Sequence, residues 1–142
     1  MEVSDVRRRL RGAIEEGKKR AAEHRARADE ASRAYDAFLP DIAVPAFHAI
    51  AQALTGEGHR FKVLTPGRAV RLSSEFSPDD YLELTLDTSR DAPGLTLAMS
   101  HGRGRRNITD ERAIFRGRSI SELTEDDVIE LLLVEIVPYV ER

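Results

Sequence analysis

The chain contains no cysteine. That excludes disulfides, thiolate catalysis and cysteine-ligated zinc, and it favours a reducing, cytosolic home. His24, His48, His59 and His101 are scattered, and none has a partner at metal-ligand spacing. No metal and no cofactor are therefore expected. No serine stands in a glycine-flanked elbow of the G-x-S-x-G kind. Gly56-x-Gly58 and Gly102-x-Gly104 each lack the third glycine and the following helix of a phosphate-binding loop. No apolar run approaches the roughly 20 residues that span a bilayer, and the opening stretch MEVSDVRRRLRGAIEEGKKR has no apolar signal-peptide core. A net charge of -3 provides no global basic field for nucleic acid or anionic lipid. The pairs Asp79-Asp80 and Asp126-Asp127 have structural roles ready for them, one opening a strand and one in a helix's first turn, where acids complement the positive dipole end. Together these absences point to a cytoplasmic protein that is not an enzyme and does not contact a membrane.

What is present is enough for one core: 142 residues, 41% hydrophobic and 33% charged. Residues 4–39 hold no proline and are rich in Ala, Arg, Glu and Lys, the composition of a long helix. Glu15 with Lys19, Glu16 with Arg20, Glu23 with Arg27 and Asp29 with Arg33 stand at i,i+4 with the acid first, the favourable order on a solvated helix. Leu10, Ile14, Gly17, Ala21, His24, Ala28, Ala31, Tyr35 and Phe38 step by alternating fours and threes, a heptad seam like that of a coiled coil. This seam is the expected oligomerisation surface, with a second copy as partner. His24 is a polar notch in it, and paired copies of His24 would loosen the rod below about pH 6. Pro40 is expected to end the rod, because the residue before a proline is pushed out of the helical region. The chain then divides into a helical rod, 1–39, and a head domain, 40–142.

In the head, Asp41 is the expected N-cap of a short second helix, with Pro45 in its first turn and Phe47, Ile50, Ala51 and Leu54 as its buried stripe. RFKVL, RAVRLSSEF, YLELTLD and GLTLAMS each alternate with period two. One face collects Phe61, Val63, Val70, Leu72, Phe76, Leu82, Leu84, Leu86, Leu95, Leu97 and Met99, and the other is polar. RNIT and AIFRG are candidates for a fifth and a sixth strand. The expected architecture is α+β: the long helix, the short helix, an antiparallel meander of four to six strands, and a C-terminal helix packed on the sheet. Thr124, with Asp127 three residues on and Leu123 and Val128 as a staple, caps that last helix. DDVIELLLVEIVPYVER is apolar nearly all round, which predicts burial on more than one side.

One stretch looks like a binding motif. His101, Arg103, Arg105, Arg106, Arg112, Arg116 and Arg118 form a basic segment, while residues 120–141 hold acids and no cation. The segment reads first as a hairpin tip and guard of a sheet edge, and second as a docking site for an anion or a partner. The favoured function is an assembly or adaptor module, self-associating through the rod and binding a protein partner through the head. The alternative is a nucleic-acid-associated regulator that contacts phosphates through residues 103–118.

Overall fold

The computed structural model describes residues 1–141; Arg142, the last residue of the expected head, lies outside them. The chain is α+β, as its patterning indicates. Helix α1 runs Val3–Phe38 and does not stop at Pro40. A π-helical turn, Leu39–Ala43, carries it into α2, Val44–Gly56. Pro40 has no N–H to give, and in an α-helix its ring would press on the carbonyl four residues back. The turn that follows it is widened, Val44 N–H bonding the carbonyl of Leu39, five residues back, and the helix runs on through it. Pro45 then falls in the first turn of α2. Asp41 is exposed and caps nothing, so the expected break and its N-cap are replaced by one helical run, Val3–Gly56. By composition and length that run contains an 18-residue stretch apolar enough to cross a membrane. Within α2, however, Ala46, Phe47, Ile50 and Ala51 are packed in the core, while Leu54 is half-buried. A Schellman closure ends α2: Gly58 takes φ 91°, Gly58 N–H bonds Thr55 O and His59 N–H bonds Leu54 O.

Five antiparallel strands follow in simple meander order: β1 Phe61–Leu64, β2 Val70–Ser74, β3 Tyr81–Asp87, β4 Gly94–Arg103 and β5 Arg106–Ala113. The turn before β2 closes with Ala69 N–H bonding Pro66 O around a positive-φ Gly67. RNIT belongs to β5, whereas AIFRG makes no sixth strand. Its chain bends instead through Phe115 (φ 52°) and Gly117 (φ 76°).

Registers Val70↔Leu84↔Leu97 and Leu72↔Leu82↔Met99 align the apolar residues on one face. Helix α2 covers the β1–β2 part of it. Phe76, expected on this face, is 78% exposed, because β2 ends at Ser74 and the chain bends away, with Ser74 Oγ accepting from the N–H groups of Phe76 and Ser77.

A short 3₁₀ turn, Ile120–Glu122, leads to α3, Glu125–Glu135, and a last turn α4, Val137–Val140. The capping box forms in full: Thr124 Oγ1 accepts from Asp127 N–H at 3.2 Å, and Asp127 Oδ2 accepts from Thr124 N–H at 2.9 Å. Val128 and Leu132 face α2 and the core. Tyr139 Oη donates between the carbonyls of Tyr81 and Ser100, at 3.0 and 2.9 Å, which pins the C-terminal turn to paired residues of β3 and β4.

Candidate interaction surfaces

The residues of the seam separate into two groups along α1. Tyr35 and Phe38 are buried in the chain's own core, and Tyr35 Oη donates to the carbonyl of Arg68 at 2.6 Å. Burial pushes the Tyr35 phenol up to about 12. These two positions are therefore not available to a second copy. Ala28 and Ala31 are half-buried near the head, as is His24 at the base of the free part. Arg27 Nε reaches the carbonyl of Asp91, and Arg68 bridges to Ser32 and Asp36, so this part of α1 is held to the loops at one end of the sheet.

From residue 6 to residue 23 every side chain is exposed, including Leu10, Ile14, Gly17 and Ala21. Leu10 is 57% and Ile14 48% exposed, and Val3 and Val6 extend the same stripe toward the N-terminus. Of the four i,i+4 pairs, Glu16 with Arg20 closes at 3.4 Å, and Arg27 turns to the head instead of to Glu23. Residues 3–23 are an arm of about 30 Å at 1.5 Å per residue.

The basic segment is a hairpin and a return. Arg103 pairs with Arg106 across the two-residue loop Gly104-Arg105. Gly104 takes φ 61° and Arg105 does not, the II′ pattern with glycine first. Gly102 lies within β4, where its N–H donates to Asp80 Oδ1 at 2.7 Å. The tip arginines Arg103, Arg105 and Arg106 are exposed, and none has an ion pair among the described residues. His101 shares a hollow with Arg103, Pro138 and Glu141, and its ring lies 5.0 Å from that of Tyr139.

Further along, the acidic C-terminal segment takes up two arginines. Arg112 pairs with Glu135 of α3, and Arg118 with Asp127 at 3.0 Å. The Arg118 pair and the Thr124 N–H hold Asp127 below the usual carboxylate range, the backbone bond contributing most. The segment is therefore not one continuous basic face. Charges along β5, an edge strand, also oppose sheet-to-sheet addition. Tyr81, the one aromatic of the open sheet face, is covered by the Arg71 guanidinium 3.9 Å from its ring centroid.

A cavity of about 440 Å³ lies between the β3–β4 loop and the residues after β5, lined by Arg90, Leu95, Phe115, Arg116 and Arg118 among others. Arg90 Nε has no hydrogen-bond acceptor among the described residues, yet it sits 3.4 Å from Asp87 Oδ2, near enough for charge attraction. Asp87 stands beside Arg90 and Asp127 pairs with Arg118, whereas Arg116 makes no ion pair among the described residues. No family model, no curated protein and no solved structure matches this chain.

One surface was not legible as such in the sequence. The C-terminal helix meets α2 and the sheet but keeps one side open: Leu133, Val134 and Val137 are exposed, Val134 at 68%. A continuous apolar run gives no phase, so it does not tell which residues face water. Only the position of α2 decides that.

Proposed function

We propose that the chain is a non-catalytic assembly module, in which the N-terminal helix associates with a second copy and the α+β head presents a surface to a protein partner. The observation that carries this is the exposed stripe Val3, Val6, Leu10 and Ile14 on an arm that makes no use of it within its own chain. A bare helix of this length is marginal in water, and burying its apolar side against another surface is what would stabilise it.

The test is the solution mass of the full chain beside that of Leu10→Glu/Ile14→Glu. Cutting the chain at residue 40 would be a poor test, because it also removes Tyr35 and Phe38 from the core. The wild type should exceed one chain's mass and the double variant should not. A wild-type monomer across the accessible concentration range would overturn the reading.

The second reading, phosphate contact through the basic segment, rests on the unpaired tip Arg103, Arg105 and Arg106. Binding of this kind weakens steeply with added salt. It would disappear when the three are replaced by Ala, and no affinity for DNA or RNA at low salt would sink it.

A further inference from the structure

The arm and the exposed side of α3 complement one another in shape class and in charge, and a single chain does not bring them together. Helical spacing places Arg7, Arg11 and Lys18 along one margin of the arm's apolar stripe and Arg9 and Arg20 along the other, where Arg20 is paired with Glu16. The acids Asp5, Glu15 and Glu23 fall on the far side. Two such arms laid seam to seam, parallel or antiparallel, would set basic margins against basic margins, the arrangement that charges flanking a coiled-coil seam normally avoid. The seam is therefore better matched to an apolar surface with acidic borders.

The head has one. Asp126, Glu130, Leu133 and Val137 recur at helical spacing along one line of α3 and its continuation, and all four are exposed. Val134 lies beside them. Asp127 and Glu135, which pair with Arg118 and Arg112, are not among these four. From Ile120 to Glu141 there is no Lys, Arg or His to offset the rest.

We propose that the arm of one copy docks along this acidic, apolar face of α3 and α4 on a second copy. The proposal rests on the self-association reading and deepens it by replacing an arm-to-arm seam with an arm-to-head contact. The arm's own head is not the occupant, since residues 6–23 are exposed throughout and Leu133, Val134 and Val137 are uncovered in the same chain. Each copy carries both surfaces at separate places, so two copies can exchange arms in a closed, two-fold pair, and that pair uses every arm and every face.

Mixing two variants tests it. The arm variant is Leu10→Glu/Ile14→Glu, and the head variant is Leu133→Ser/Val134→Lys. Both change exposed positions, and each variant should keep the wild-type circular dichroism spectrum and a cooperative melt, which shows that each head is folded. Each variant alone should lose at least about tenfold in dimer affinity, as for truncation of an interface anchor. Mixed, they should recover a dimer, because the head variant's intact arm still fits the arm variant's intact face. Added salt should weaken the wild-type pair. A head variant that assembles like the wild type, or a mixture of two monomeric variants that stays monomeric, overturns the arm-to-head contact while self-association through the arm still stands. An arm variant that keeps the wild-type mass overturns both. So does a monomeric wild type that co-sediments with phosphatidylserine vesicles, in which case a lipid surface is the arm's occupant.

Discussion

The two ends of one helical run have opposite relations to the rest of the chain. Residues 24–56 give up Tyr35, Phe38, Ala43, Ala46, Phe47 and Ile50 to the core, while residues 6–23 bury nothing. The backbone is helical throughout, so the difference comes from side-chain size and not from helix-forming tendency. Small residues and charges dominate the arm, and its few large apolar groups fall on one narrow stripe. In the docked part, aromatic and branched residues recur on the side that meets the sheet. The lesson is that a heptad pattern marks a face without saying whether the face is satisfied in the same chain. Tyr35 and Phe38 continue the spacing of Leu10 and Ile14, yet only the latter pair is open to a second copy.

The largest way to break the docked half is Phe47→Ala. Its ring is fully buried between α2 and the sheet, and removing it should cost about 3–5 kcal/mol. Urea denaturation of the whole chain reads this directly. A loss well under that range would mean that α2 is not the lid of the core.

Tyr35→Phe is the next step down. It leaves the ring in place and removes the hydrogen bond to the carbonyl of Arg68, for a loss of about 0.5–1.5 kcal/mol. The variant also sharpens the pH behaviour. Burial raises the Tyr35 phenol from 10.0 to about 12, so its neutral form is the one the fold favours. That contribution is whole below pH 10 and is lost as pH climbs toward 12. Melting temperature should therefore fall over that window in the wild type and fall less in Tyr35→Phe.

Thr124→Ala removes the cap of α3 and should cost about 1 kcal/mol. Its acid dependence runs the other way from that of Tyr35. Asp127 is held below its ordinary 3.8, so the ionised form supports the fold above that value and the support is lost as pH falls through the lowered one. Asp127→Asn should flatten this part of the acid limb of a stability profile, and an unchanged limb would show that the capping box does not act through its charge.

How much of this was legible depended on whether a local rule had a competitor. The Thr124–Asp127 box was readable because every partner lies within four residues. The sheet's apolar face was readable wherever a strand persists, at Leu72, Leu82, Leu84 and Leu97, and misread at Phe76, where hydrogen bonds to Ser74 Oγ end the strand first. Pro40 was misread because the helix runs on through it into a widened turn. The candidate arm was half legible. Its stripe is written in the sequence, but its end at the head is a tertiary fact, set by where Arg27 and Tyr35 meet the loops. The opposing face on α3 was illegible, since Leu131 to Val134 present no alternation to read.

The smallest effect separates the two halves most cleanly. Gly12 lies in the arm on the side away from the stripe, and a Cβ built there would meet nothing within 4 Å. Gly12→Ala should stabilise the local helix by about 1 kcal/mol, since alanine loses less backbone entropy on becoming helical. At concentrations low enough to keep the chain monomeric, that gain should slow amide hydrogen exchange around residues 8–16 without moving the melting temperature of the head. The two readouts can differ only if arm and head open independently. If Gly12→Ala raised the melting temperature of the head, the arm would be part of the folding unit. The contrast between a free arm and a docked helix would then give way to one cooperative helix from Val3 to Gly56.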